Sequence, residues 1–230
     1  LSERTEKQMR EIFGYIFAGI FAAVAVLHII CCFAGVRKIR MVTKPMLLIL
    51  LCVVYMLLAK EVRVPVICAM LLGCAGDTLL LFGDNKKLFA AGAAAFGLGH
   101  AAYFAALLPM VVHISESPWI FVLCAAVCLI EPVILFIYLR RYIPAPLAPL
   151  AGAYCLFIGI MTALAAALFV RSPSAESLAA LGGMAFFVAS DSVLAVNVFK
   201  YESEPPVQSG IIMTTYIAAQ SLLCAAFVLM

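Results

Sequence analysis

Apolar residues run along the chain in stretches of roughly 20, the length that crosses a hydrocarbon core as a helix, and short polar segments separate them. The stretches fall at about 12–35, 45–59, 64–82, 88–112, 118–139, 147–170, 178–199 and 207–230. This pattern predicts an all-α polytopic membrane protein, a bundle of eight transmembrane helices forming a single integral membrane domain over residues 1–230. The second stretch is the shortest, with 14 residues between Pro45 and Lys60. Starting it at Met41, with Lys44 snorkelling to the interface, restores an adequate length. Lys44-Pro45 reads as the opening of that helix, because proline suits a first helical turn.

The connectors run from Arg37 to Lys44, Lys60 to Arg63, Asp84 to Lys87, Ser115 to Pro118, Arg140 to Pro146, Arg171 to Glu176 and Lys200 to Pro206. All are too short to hold an extramembrane domain. Nine of the 15 Lys and Arg residues lie in the connectors after the first, third, fifth and seventh stretches. Basic residues concentrate on the cytoplasmic side of membrane proteins, so these odd-numbered connectors are expected there. A bacterial inner membrane and an endoplasmic reticulum both fit. The first stretch lacks a small-residue cleavage pattern and is as long as its successors, so it reads as a retained helix rather than a signal peptide.

Composition sharpens the class. At 67% hydrophobic and 12% charged residues the chain is too apolar for a soluble domain of 230 residues. The net charge of +3 is scattered between apolar runs, with no basic block to grip nucleic acid. The nine cysteines show no zinc or redox spacing and read as small packing residues. His28, His100 and His113 form neither an HxxxH nor an HExxH pattern, so no catalytic metal and no cofactor is expected. His28 and His113 read as structural or interfacial, and Phe186-Phe187 as packing or acyl-chain wall.

Two carboxylates change the picture most. Asp77 and Asp191 lie within the third and seventh stretches in similar surroundings: Met70-x6-Asp77-Thr78-x-Leu80 and Met184-x6-Asp191-Ser192-x-Leu194. Tyr103 follows the first acid by 26 residues and Tyr216 follows the second by 25, a spacing that suggests two parallel four-helix halves. Asp77 lies nine residues before Lys86 and Asp191 nine before Lys200. At 1.5 Å per residue both acids sit about 13 Å inside the same boundary. An intramembrane acid is costly. It either fixes helix packing through hydrogen bonds or serves a function, and a matched pair favours the second. Two nearby buried carboxylates resist being ionised together, which supplies a proton donor and a base at one pH.

Other polar groups reach similar depth. Tyr216 and Gln220, at i and i+4, share one stripe of the last stretch, and His100 sits in Gly97-Leu98-Gly99-His100. Glu131 precedes Pro132, whose kink frees backbone carbonyls that a protonated acid could satisfy. Lys44, Lys87, Arg140 and Arg141 share the odd-connector face at phospholipid headgroup height.

These residues resemble those of the lysoplasmalogenases, the YhhN-like membrane proteins. The resemblance covers most of the chain. It rests on Lys44-Pro45, Gly76-Asp77 with Leu80, His100 with Tyr103, Ala153-Tyr154, Ser190-Asp191 with Leu194-Ala195 and Phe199, and Met213-Thr214-Thr215-Tyr216 with Ala218-Ala219-Gln220. It implies an eight-helix enzyme that hydrolyses the vinyl ether bond of a lysoplasmalogen, releasing a fatty aldehyde and glycerophosphoethanolamine or glycerophosphocholine. By carry-over Asp77 and Asp191 are the catalytic candidates. Lys44, His100, Tyr103, Tyr154, Ser190, Tyr216 and Gln220 are the substrate-binding ones, with Lys44 on the phosphate about two helical turns above the reacting bond. A lysophospholipid and the surrounding lipid are the implied partners, and the oligomeric state is left open. Glu131 and Asn197 match no family motif. The alternative from a different class is a proton-coupled transporter or lipid carrier using the two aspartates as a relay.

Overall fold

The structure, a computed structural model, describes residues 3–82, 85–112, 118–203 and 205–230. The readings placed on His113, Asp84 and Ser115 lie outside the described residues. The regular structure among the described residues is helical: α1 (Glu3–Phe33), α2 (Arg37–Leu58), α3 (Val64–Leu80), α4 (Lys86–Val112), α5 (Trp119–Cys128), α6 (Ile130–Leu139), α7 (Ala148–Arg171), α8 (Ala175–Val196) and α9 (Pro206–Leu229). The α5 and α6 segments form one interrupted span, Trp119–Leu139. Among the described residues seven spans are long and apolar enough to cross a membrane, and α3 is a shorter apolar helix of 17 residues, about 26 Å long. The chain is an integral, multi-pass membrane protein.

Two boundaries differ from the sequence expectation for local reasons. The second helix begins at Arg37, so Pro45 lies inside it rather than in its first turn. Gly35 explains the early start. Its φ of +70° lets the chain reverse after α1, with the Val36 amide donating to the Cys31 carbonyl, and helix resumes two residues later. The resulting 22 residues resolve the shortness of that span. The fifth span breaks at Leu129, and Pro132 lies in the first turn of α6, where its missing N–H costs least.

Packing follows membrane rules rather than a hydrophobic gradient, because lipid tails are as apolar as leucine. The α5 and α6 segments turn Val122, Val127, Ile134 and Ile137 outward to lipid. The core lies among α2, α3, α4, α7, α8 and α9, around Tyr55, Met70, Tyr103, Leu107, Met161, Met184 and Leu223. Buried polar groups tie helices together. His28 Nδ1 and Thr43 Oγ1 lie 2.6 Å apart across α1 and α2, which gives His28 a structural role. Ser190 Oγ donates to the Ile212 carbonyl at 3.1 Å, joining α8 to α9. Ser174 caps α8 in a reciprocal box with Ser177, so that helix starts at a fixed residue.

Candidate functional site

A cavity of about 920 Å³ opens on the face carrying the connectors after the first, third, fifth and seventh spans. Gly35, Leu81, Ile143 and Glu202 from those connectors line its outer part, and Asp77 and Asp191 lie in its wall. The two acids come from α3 and α8, and Asp77 is within electrostatic reach of Asp191. The shared surroundings noted in the sequence therefore correspond to one shared space.

The two carboxylates have different partners. Asp77 is 2% exposed, forms an ion pair with Lys44 Nζ at 3.3 Å and accepts a hydrogen bond from the Tyr216 hydroxyl at 2.8 Å. Asp191 is partly exposed and accepts a hydrogen bond from the Tyr154 hydroxyl. It has no cationic partner among the described residues; its charged neighbours are Asp77 and Glu131. The cation beside Asp77 and the acids beside Asp191 make the two carboxylates electrostatically unlike. The two acids thus sit in inequivalent surroundings. Tyr216 donates to Asp77, but Tyr103, at the matching sequence spacing from the other acid, donates to Gln220 Oε1 at 2.9 Å, and Tyr154 of α7 lies beside Asp191.

The walls divide by polarity. Toward the mouth, Arg37 and Arg40 precede Lys44 on α2, and Glu202 joins the lining from the connector after the seventh span. Arg37 lies seven residues, about 10 Å of helix, above Lys44. Glu202 follows a turn of π-helix, Asn197–Tyr201, and sits in the left-handed region at φ 50°. A non-glycine residue held there is strained, and such strain gathers at functional sites. The wall that α6 and the start of α7 contribute is apolar. Leu135, Phe136 and Leu139 of α6, Leu147 just before α7, and Leu150 and Ala151 of α7 line it, with Phe96 from α4.

Of the residues singled out by sequence, Lys44, Asp77, Tyr154, Ser190, Asp191 and Tyr216 line this cavity. His100, Tyr103 and Gln220 do not. They sit one layer behind, each at most 3% exposed, with His100 Nε2 3.2 Å from the Tyr154 hydroxyl. Lys44 is engaged by Asp77, and Arg37 and Arg40 line the cavity nearer the start of α2, at headgroup height. Lys87, Arg140 and Arg141 do not line the cavity, and Arg141 stacks over Tyr142 instead. Glu131 accepts a hydrogen bond from Ser192 at 2.7 Å, and buried Asn197 opens the π-helical turn. The phenylalanines in the wall are Phe89, Phe96, Phe136 and Phe199, whereas Phe187 is buried between His100 and Tyr216 and Phe186 is exposed. Arg37, Arg40 and Glu202 stood in connectors with no pattern to mark them; only the fold turns them toward one opening.

Comparison with curated proteins and with solved structures gave no match. A family model described as the YhhN family matches residues 39–227, which takes in Lys44, both aspartates and every other residue singled out in the cavity wall by sequence. The chain belongs to the YhhN family, the family that includes lysoplasmalogenases.

Proposed function

We propose that the protein is a lysoplasmalogenase, hydrolysing the vinyl ether bond of a lysoplasmalogen to a fatty aldehyde and a glycerophosphoethanolamine or glycerophosphocholine. The observation that carries the reading is the pair of inequivalent carboxylates in one lipid-sized cavity, one ion-paired to Lys44 and the other not. Family membership supports the same class. The mixed charge of the mouth, Arg37 and Arg40 against Glu202, suits a headgroup with both a phosphate and an ammonium. The apolar wall suits a single hydrocarbon chain.

Vinyl ethers hydrolyse by protonation of the outer alkene carbon. Asp191 gives its proton to that carbon: its O–H bond breaks, a C–H bond forms, and the adjacent carbon becomes an oxocarbenium ion. Asp77, ion-paired to Lys44, acts as the base: it steadies this cation across the cavity and accepts a proton from the water that attacks it. The hemiacetal then collapses, its hydroxyl proton passing to the leaving glycerol oxygen. Tyr154 and Tyr216 orient the two carboxylates through the hydrogen bonds they donate. General acid and base catalysis of this kind contributes about 10²- to 10⁴-fold each.

The test is aldehyde release by purified protein given a lysoplasmalogen and, in parallel, its saturated ether analogue. The reading requires turnover of the vinyl ether alone. Cleavage of neither compound, with lipid moving across reconstituted vesicles, would replace it with the carrier reading.

A further inference from the structure

Behind the cavity wall lies a second, much smaller space of about 10 Å³, bounded by Ala69, Gly73, Phe96, Gly99, His100, Tyr103, Phe187 and Gln220. Its size matches one water and nothing larger, since a water needs about 10–15 Å³ measured this way. Three polar side chains, His100, Tyr103 and Gln220, stand among its otherwise apolar lining. His100 is 2% exposed, and while its Nε2 meets the Tyr154 hydroxyl, its Nδ1 has no hydrogen-bond partner. An unmet buried ring nitrogen carries a penalty of about 1–3 kcal/mol, which a water beside it removes. Gly73 opens the same space toward the other acid. The position a Cβ would take on Gly73 is 3.7 Å from the Tyr216 hydroxyl and 3.8 Å from Gln220 Nε2.

We propose that a single buried water sits in this space between His100 Nδ1, Gln220 and Tyr216, and closes a proton relay that joins Asp77 to Asp191 behind the substrate cavity. The order is Asp77, Tyr216, water, His100, Tyr154, Asp191. Its outer links are already in place: Tyr216 to Asp77 at 2.8 Å, Tyr154 to Asp191, and His100 Nε2 to Tyr154 at 3.2 Å. Gln220, fixed by the Tyr103 hydroxyl on its Oε1, offers its amide to the water. This inference rests on the proposed vinyl ether hydrolysis, which leaves Asp191 ionised and Asp77 protonated after each turnover. The relay resets them. Asp77 passes its proton to Tyr216 oxygen, Tyr216 passes its own to the water, and the water protonates His100 Nδ1. His100 then releases the Nε2 proton to Tyr154, which delivers its hydroxyl proton to Asp191. Each member gains one proton and loses one; besides the two acids, His100 is left with its proton on Nδ1 instead of Nε2, and the ring must turn over to restore the starting tautomer before the next reset. His100, Tyr216, Tyr154 and Gln220 are positioning residues here, acting through the aspartates.

Two measurements on the full chain test it. In ¹⁵N-histidine-labelled protein, NMR should show water exchange at His100 Nδ1 in the parent and its loss in Gly73→Ala, whose methyl takes the water's place with Leu48 giving way at 2.7 Å. In rapid-mixing kinetics, His100→Phe and Gly73→Ala should release one aldehyde per protein at close to the parent rate, then slow at least tenfold in steady state. Equal loss in both phases, no loss in either, or no water at Nδ1 of the folded parent overturns the relay. Should His100→Phe not fold, Gly73→Ala alone decides, because it leaves every hydrogen-bonding side chain in place. A parent protein that releases no aldehyde refutes the hydrolase reading, and the NMR result still decides the water.

Discussion

Replacing Lys44 by methionine probes the ion pair that distinguishes the two acids. The Lys44 ammonium lies 3.3 Å from an Asp77 oxygen, and the side chains are 15% and 2% exposed. At that distance the direct attraction is about 5 kcal/mol for an effective dielectric constant of about 20. Burying both ions cancels much of this, so the pair itself contributes little net stability. Removing only Lys44 is different, because Asp77 is left buried without its counter-ion, a change that costs about 3–5 kcal/mol. Thermal unfolding in detergent, followed by circular dichroism, should show Lys44→Met melting roughly 6–20 °C below the parent. Adding Asp77→Asn removes the stranded charge while keeping an oxygen for the Tyr216 hydroxyl. The double variant should therefore recover most of the loss, a coupling visible only if the two groups interact. A Lys44→Met protein within about 1 kcal/mol of the parent, or a double variant no better than the single, would refute the argument.

Arg37→Gln should raise KM for a zwitterionic lysolipid about fivefold with kcat unchanged, since one cation near a phosphate is worth about 1 kcal/mol; steady-state kinetics in mixed micelles checks this. Gly76→Ala places a methyl 2.7 Å from the Phe96 ring, which itself packs edge-on against Tyr216. It should cost about 1–3 kcal/mol in unfolding experiments and lower activity by crowding the cavity. Ala151→Phe should shorten the preferred chain, because Ala151 lines the apolar wall; competition between lysolipids of different length measures it. Cys155 also lines the cavity, so a non-hydrolysable ether lysolipid should slow its maleimide labelling while exposed Cys68 reacts as before, read by mass spectrometry.

Hydropathy alone identified eight spans, because in lipid a backbone must bond to itself and each crossing needs a helix of nearly fixed length. The equal spacing of Asp77 and Asp191 from the next lysine likewise anticipated a shared depth, since helical rise converts sequence distance into height. Pairing was harder to see. Whether two residues at one depth face each other depends on helix rotation, which apolar all-round helices do not encode. For that reason His100 and Gln220 looked equivalent to Tyr154 and Tyr216, yet they lie one layer back. The cations at the mouth were hidden for another reason. Arg37 and Arg40 read as connector residues when Pro45 marks the helix start, whereas Gly35 lets that helix begin at Arg37.

Aldehyde release from a lysoplasmalogen by folded Asp77→Asn and Asp191→Asn proteins tests the shared acid pocket most directly. Asparagine keeps each side chain's size and its bond from tyrosine but can neither hold nor supply the proton. Each substitution should lower turnover by about 10²-fold or more, and the double variant should be little worse than either single one, as expected of groups acting as a unit. Parent-like turnover by either single variant would contradict the pairing of the two acids.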